Sequence, residues 1–370
     1  MISIDFIIIS YNTKNITLQA IESIYNSFEL YEEFIFKIDN NSDDNIIKLG
    51  KIIVIDNNSN DGTIEAIQEI YHSKDNIKTI KLKENFGYAK ACNIGIKEIT
   101  QNYFVIMNSD IIIFKNTLLG IQNSIDLDFT LIGFQQLYPN LVLQRSFGYY
   151  PSIKSSLLKL IAFENIKNHL SKYKFNKYTH KLNLILKKEN FFLDYTTNFK
   201  IFKNEINELE SQLLKIKSKH ITNEVIHNVE YLDGAFLLFN KSKLDESKLL
   251  FDESYFFYSE EMDLCYNLNK LNYKILFNPN YYLIHFRGYS LENNNNSNNM
   301  SKSIELIYDS NLLFCKKYYS KNVTKFYFYS EFLFRVLLIL KGYLFFSKSK
   351  AAVNRNKIHL NILKKLINKI

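Results

Sequence analysis

The chain has 370 residues, 46% of them apolar and 23% charged, which excludes a small single module and a generally disordered protein. Its three cysteines, Cys92, Cys265 and Cys315, form no CxxC pair; this excludes a disulfide framework and fits a reducing compartment. A net charge of +8 leaves nucleic acid, an anionic membrane surface and phosphorylated substrates open, but almost all of it is lysine in a sequence also rich in asparagine and isoleucine, so its placement matters more than its sum.

The N-terminus, MISIDFIIIS, has no basic leader and reads as a first strand over Ile4–Ile9 rather than a signal peptide. An amphipathic helix follows, with Ile16, Ala20, Ile21, Ile24 and Phe28 at helical spacing; residues 29–49 are irregular, with a polar loop over 39–44. Lys51–Ile55 is a second buried strand that runs into the turn cluster Asp56–Gly62, and a helix starts at Thr63. Ile77–Leu82 is a third strand, Glu84–Tyr88 a turn and Ala89–Ile99 a helix. Tyr103–Met107 is a fourth strand, with Asn108-Ser109-Asp110 at its carboxyl end. This alternation predicts a parallel sheet with right-handed crossovers, and ligands of such sheets bind beyond the carboxyl ends of the strands. Tyr11, Asn12, Asp56, Asn57, Asn85 and Asp110 all fall on that edge.

Residues 150–228 are rich in lysine, leucine, phenylalanine and tyrosine with almost no glycine or proline, and read as mostly helical. Tyr231–Asn240 returns to a strand pattern, a helix starts near Glu260, and Tyr273–Phe277 and Tyr281–His285 read as two short strands. An asparagine-rich loop occupies 291–300 and a helix resumes near Lys302. Glu331–Phe346 is the most apolar segment, interrupted by Arg335 and Lys341, and no run of about 20 apolar residues long enough to span a bilayer exists.

Four acidic or basic clusters sit where nucleotide chemistry would need them. A carboxylate at Asp110 can hold a hard divalent cation on a diphosphate, while the bland alternative is a capping aspartate. Asp56 leaves its strand end directly and can read a base or ribose, whereas Asp61 and Thr63 read as turn and cap; Tyr11 could lay its ring on a base. Glu260, Glu261 and Asp263 open a helix, and crowded carboxylates raise one another's pKa, which suits a general base; acids at a helix N-terminus are the simpler explanation. His285 can bind metal or phosphate and Arg287 can grip a phosphate, although a lone histidine is commonly structural.

Taken in order, IIISYN (7–12), IIVIDNNSNDGT (52–63), ENFGYAKACNIGI (84–96), YFVIMNSD (103–110), LDGAFLLFNKSKL (232–244), FDESYFFYSEEMDLC (251–265) and HFRGYS (285–290) resemble a family 2 glycosyltransferase, in particular its bacterial rhamnosyltransferase-like branch. The resemblance implies a GT-A fold, a Rossmann-like, mostly parallel α/β sheet flanked by helices, with a helical C-terminal extension. It divides the chain into a nucleotide-sugar half (1–125), an acceptor half (126–290) with a helical insertion over about 150–228, and a C-terminal part (291–370). It implies inverting transfer from dTDP-rhamnose or a UDP-hexose to a saccharide acceptor, lipid-linked, in bacterial surface polysaccharide synthesis at the inner face of the cell membrane. Glu261 takes the base position, with Glu260 able to exchange roles and Asp263 beside them. Nucleotide contacts fall to Ser10, Tyr11, Asn12, Asp56, Asn57, Asn85, Gly87, Asn93, Asn108 and Ser109. Asp110 and His285 would hold Mg²⁺ or Mn²⁺, and Arg287 a phosphate. Asn108 stands where many members carry aspartate, and Glu261 where aspartate is commoner.

Nucleic acid is not among the expected partners. Two readings from other classes compete: a nucleotidyltransferase, which would need a glycine-rich basic loop where Ser10-Tyr11-Asn12-Thr13 stands, and a non-enzymatic basic protein, which leaves the acids at strand ends unexplained. A C-terminal band of Phe332, Leu333, Val336, Leu337, Leu340 and Leu344, flanked by Arg335 and Lys341 and followed by Lys348, Lys350, Arg355, Lys357, Lys364 and Lys365, predicts a helix lying on an anionic membrane. The alternative uses of that band are packing on the catalytic domain and a homodimer interface.

Overall fold

The computed structural model describes residues 1–38, 46–139, 143–152, 225–245, 248–286 and 297–346, and beyond them Asn356, His359, Leu360, Leu363 and Lys364. The polar loop at 39–44, most of the helical insertion at 150–228, Arg287, residues 291–296 of the asparagine-rich loop, and Lys348, Lys350, Arg355, Lys357 and Lys365 lie outside the described residues.

The elements in chain order are β1 (Ile2–Ser10), α1 (Lys14–Ile38), β2 (Ile47–Asp56), α2 (Thr63–Ile70), β3 (Ile77–Lys81), α3 (Tyr88–Ile96), β4 (Tyr103–Asn108), β5 (Ile111–Ile112), α4 (Lys115–Ile125), β6 (Leu131–Leu137), β7 (Phe147–Gly148), β8 (His227–Asn228), β9 (Tyr231–Leu232) and β10 (Phe236–Asn240). A 3₁₀ turn at Lys241–Lys243 leads on to α5 (Glu260–Lys270), β11 (Ile275–His285), α6 (Ser297–Tyr318) and α7 (Lys321–Phe346). By contact, the chain divides into two compact units, the first of Met1–Gly148, Leu182–Phe256 and Glu260–Ser290, the second of Tyr149–Lys181, Phe257–Ser259 and Leu291–Ile370.

The first unit carries a mixed sheet in the order β3-β2-β1-β4-β10-β6-β11-β5, with β8 against β11. β1 pairs in parallel with both β2 and β4, β2 in parallel with β3, and β10 runs antiparallel between β4 and β6. Every residue of β1 from Ile4 to Ser10 is buried, as a parallel strand covered on both faces requires, and this is why its sequence is a continuous apolar run. Each such side chain contributes about 1.5–3 kcal/mol when buried. At the far end of β1, the buried Asp5 carboxylate accepts hydrogen bonds from the backbone N–H groups of Lys51 (2.7 Å), Thr100 (2.7 Å) and Gln101 (3.2 Å). It thereby ties β2 and the α3–β4 connection to β1 at the edge opposite the site.

Several elements differ from the sequence expectation, for local reasons. The first helix continues to Ile38, ten residues past Phe28, because Tyr31 is fully buried on the same face, which Ile35 prolongs, and its hydroxyl receives the N–H of Ile47 at 3.3 Å. The two short strands before His285 are one strand, β11, whose pairing shifts register between Asn278 and Tyr282, on either side of Pro279. The strand pattern over Tyr231–Asn240 breaks at Asp233-Gly234 into β9 and β10. β6 has no counterpart among the expected strands: its glycine and two glutamines hide the apolar pattern of LIGFQQL. Helix α6 begins at Ser297, inside the expected loop.

In the second unit α6 and α7 pack through Tyr308, Leu312, Cys315, Tyr327 and Phe328. Arg335, expected to flank the apolar band, is buried instead. Its Nε donates to the Tyr308 hydroxyl at 2.7 Å, and that hydroxyl donates to Glu331 at 2.7 Å. The outer side of α7 keeps Phe326, Tyr329, Leu333, Leu337 and Leu340 exposed, spaced by three or four residues and therefore in one stripe. No helix among the described residues is long and apolar enough to cross a membrane.

Candidate active site

Two neighbouring strand ends form the first corner. The Asp56 carboxylate is fully buried at the end of β2, where the Ser59 N–H reaches one oxygen at 3.1 Å and the Ser59 hydroxyl donates to the other. Burial raises its pKa above the usual carboxylate range, and the Ser59 hydrogen bonds and nearby Lys81 pull it partly back. Asn12, in the left-handed region at φ 52°, donates its N–H to Ser59 Oγ (2.8 Å) and accepts the Asn60 N–H on its side chain (2.9 Å). The loops after β1 and β2 are thus stitched together, and the Tyr11 ring is left 43% exposed beside them. Ser10 and Ser109 lie in one buried hydroxyl chain through Thr13, at 3.1 and 2.9 Å, which joins the ends of β1 and β4. Asp61 accepts the Lys14 N–H at 2.8 Å and the Thr63 N–H at 3.2 Å, a turn role, while the N-cap of α2 is Gly62, without a side-chain cap.

The glycine-bearing turn before α3 is tightly built. Asn57 donates to Gly87 O at 3.1 Å and accepts the Phe86 N–H at 2.9 Å, while Asn85 accepts the Gly87 N–H at 3.0 Å. Gly87 has φ 86°, and a Cβ there would stand 2.3 Å from the carbonyl oxygen of Phe256. Asn93 faces the other way: its amide bonds Phe251 O (2.9 Å), the Phe251 N–H (2.8 Å) and Glu253 (3.1 Å), holding the segment that leads toward α5.

The second corner lies after β4. Asp110 is buried, its backbone carbonyl accepts the Phe286 N–H at 3.0 Å, and its Oδ1 lies 3.4 Å from Nε2 of the buried His285. β5 pairs with the end of β11 in the register His285↔Ile111, which brings these distant residues together. On its other side, Nδ1 of His285 meets Gln136 Oε1 at 3.0 Å. Gln136 Nε2 in turn donates to Asp233 Oδ1 at 3.3 Å.

Whether this corner suits a divalent cation can be judged from its donors. A carboxylate oxygen and an imidazole nitrogen are both metal ligands, and adjacent ligands on a cation with bonds of about 2.1 Å lie about 3 Å apart. The 3.4 Å separation fits. Among the described residues no group of three or more His, Cys, Asp or Glu side chains converges, so any cation here would complete its shell from substrate oxygens and water.

A short turn, Asp233–Ala235, connects this corner to the acidic helix. Ala235 O accepts the Asn108 N–H at 3.0 Å, Gly234 O accepts the Tyr88 hydroxyl at 2.9 Å, and a Cβ on Gly234 would stand 3.3 Å from Cβ of Glu261. The two glutamates that open α5 differ sharply. Glu260 is buried, its Oε2 has no hydrogen-bond partner among the described residues, and burial followed by repulsion from Glu261 holds its pKa well above the usual range. Glu261 is half-buried, against Gly234. Asp263 is a buttress: it accepts the Tyr255 hydroxyl at 3.0 Å and the Asn267 amide at 3.1 Å.

The structure therefore gathers Ser10, Tyr11, Asn12, Asp56 and Asn57 in one corner and Asn108, Ser109, Asp110 and His285 in another. It sets Asn93 and Asp263 inward as scaffold. Gln136 and Asp233 belong to the second corner but were not singled out by sequence reasoning. Asp233 sits in the recognised LDGAF segment and could have been found there, whereas Gln136 carries no motif.

A mixed, mostly parallel α/β sheet lined this way at its strand ends is consistent with the GT-A fold that the sequence resemblance implies. Residues 5–183 match the family model for glycosyl transferase family 2. No curated protein sequence matches the chain. Among solved structures, the chain is similar to a mannosyltransferase from Pyrobaculum calidifontis in complex with GDP-Man and Mn²⁺, at 12% identity and TM-score 0.49 over 99% of this chain and 86% of that one. It is also similar to GalNAc-T7 with UDP, GalNAc and Mn²⁺, at 10% identity and TM-score 0.42 over 77% of this chain and 44% of that one.

Proposed function

We propose that the protein is an inverting, metal-dependent glycosyltransferase that moves a sugar from a nucleotide-sugar to a saccharide acceptor. One observation carries this reading: the three-residue turn Asp233–Ala235 is held to Asn108 at the Asp110–His285 corner and lies against Glu261. A phosphate-neutralising corner and a carboxylate base are thus on two sides of one rigid turn.

In this reading the Asp56 and Tyr11 corner receives the base of the donor. Asp110 and His285 would hold Mg²⁺ or Mn²⁺, which when bound neutralises charge on the departing diphosphate. Glu261 accepts the proton of the acceptor hydroxyl as that oxygen attacks the anomeric carbon from the face opposite the nucleotide, so configuration inverts. Glu260 is buried, and burial with repulsion from Glu261 raises its pKa, which leaves Glu261 as the accessible carboxylate of the pair. The donor is dTDP-rhamnose or a UDP-hexose, and the acceptor is lipid-linked. The exposed stripe of α7, with Lys321 and Lys325 on the same helix, lies on an anionic membrane where that acceptor is met.

A panel of UDP-, dTDP- and GDP-sugars with a nucleotide-release readout tests the activity, and flotation with anionic and neutral liposomes tests the membrane contact. Nucleotide release from no donor in the presence of Mn²⁺ would sink the enzymatic reading. Equal recovery with anionic liposomes of a Leu333→Ser, Leu337→Ser, Leu340→Ser variant would sink the contact through α7.

A further inference from the structure

Resting on the metal reading of Asp110 and His285, we infer that Gln136 is a positioning residue that fixes the tautomer of His285 and so aims the Nε2 lone pair at the cation, with Asp233 fixing Gln136 in its turn. The argument begins at Asp233. A carboxylate without its proton only accepts hydrogen bonds, so the Gln136 atom 3.3 Å from Asp233 Oδ1 is the amide nitrogen. This sets the amide's orientation, which a glutamine's shape alone would leave open. The other end, Oε1, is then an acceptor, and His285 Nδ1, 3.0 Å away, must carry the proton. A neutral imidazole has one proton. With it on Nδ1, Nε2 presents its lone pair toward Asp110 Oδ1 at 3.4 Å. Two electron-rich atoms facing each other in a buried site repel, and a cation between them removes the repulsion.

The relay is rigid by construction. Gln136 is 2% exposed, its N–H donates to Ser146 Oγ (2.8 Å), its carbonyl accepts the Gln144 N–H (2.9 Å), and it pairs with Leu283 across the β6–β11 ladder. The carbonyl of His285 is held in turn by the Gln144 side chain. Asp233 is fixed by its own N–H, which donates to Ser146 O at 2.9 Å, and by accepting the Ala235 N–H at 3.2 Å. Asp233 opens the turn whose Gly234 packs on Glu261, so the support of the metal ligand and the backing of the base are one segment.

The test is Mn²⁺ binding to the full chain with UDP present, followed by the loss of the free Mn²⁺ resonance, beside long-range ¹H–¹⁵N spectra of the metal-free histidines. Gln136→Met removes the acceptor and is expected to weaken Mn²⁺ binding about 10- to 100-fold, the usual cost of losing such a partner. The His285 signal, assigned by its absence in His285→Ala, should move from a Nδ1–H tautomer to a mixture. The double variant Gln136→Glu with Asp233→Asn exchanges carboxylate and amide, keeps both hydrogen bonds, and is expected to restore affinity and tautomer. Unchanged Mn²⁺ affinity in Gln136→Met, with binding lost in Asp110→Asn, overturns the inference and leaves the metal reading standing. Unchanged affinity in both Asp110→Asn and His285→Ala overturns the two together. Weakened affinity with an unmoved tautomer and no recovery in the double variant reduces Gln136 to packing and also overturns it.

Discussion

Asp56 and Asp110 flank β1, one at the end of β2 and the other just past β4; both are buried, and they are committed in opposite ways. Asp56 has both oxygens engaged by Ser59, three residues along its own loop. Asp110 reaches across the fold to a histidine 175 residues later in the chain. Burial is therefore common to a carboxylate closed off within its own loop and to one that meets a distant partner. What differs between these two is the partner, which for Asp56 belongs to the same loop and for Asp110 comes from a distant strand. The pair at the start of α5 repeats the contrast within two residues, since Glu260 is enclosed and Glu261 faces the turn at Gly234.

The contrast is most easily broken at Asp110. Asp110→Asn and His285→Ala are each expected to lower turnover about 10³-fold or more, because several kcal/mol of charge stabilisation would go with the cation. Steady-state rates with Mn²⁺ and with excess chelator check this, and full activity of either variant in chelator would erase the distinction. Glu261→Gln should lower kcat about 10²- to 10⁴-fold with little change in donor affinity. If Glu260→Gln does more damage, the two glutamates exchange roles.

Asp56→Ala should act on binding, weakening UDP or dTDP by about 10- to 100-fold while kcat falls less, as expected where a charged group's hydrogen bonds of about 1.5–3 kcal/mol are lost away from the reacting carbon. Calorimetry with both nucleotides measures it. The smallest effect concerns Glu260. Its folded-state pKa is raised above the ordinary value near 4.5, so the folded chain holds that proton more tightly than the unfolded chain. The stability so contributed is complete below about pH 4.5 and is lost as pH rises through the folded value. Glu260→Gln keeps the neutral shape and removes the titration. The melting temperature of the variant relative to the parent should therefore climb with pH, and a difference that stays flat would show that Glu260 ionises freely.

Much of this was legible in the chain. Continuous apolar runs gave away β1, β2 and β4 because strands covered on both faces have no polar side to disguise them, and the short polar clusters at their ends marked the edge where Asp56 and Asp110 stand. What stayed hidden depended on distance. The meeting of Asp110 with His285 rests on two pairs between β5 and β11, which no local pattern encodes. Gln136 lies in a strand whose polar residues face a buried relay rather than solvent, so its alternation reads as noise. Asn93, by contrast, shared a motif with Asn85 and Gly87 yet spends its amide on the 251–253 segment, a pairing across about 160 residues that no local pattern encodes.

The strand order has a consequence for how such a chain is made. β1 to β4 and their crossovers are all supplied by residues up to 108, so this half of the sheet can assemble early, whereas β10 and β11 arrive only after 236 and 275. At roughly 5–20 residues per second on the ribosome, His285 would emerge roughly ten to thirty-five seconds after Asp110. Until β10 emerges, within that interval, β4 has an open edge where β10 belongs, a strand edge exposed to pairing with other chains. Nascent chains arrested before residue 236 are expected to resist protease over β1–β4 and to be the species that aggregates; if arrested chains are uniformly digested, the two halves form together.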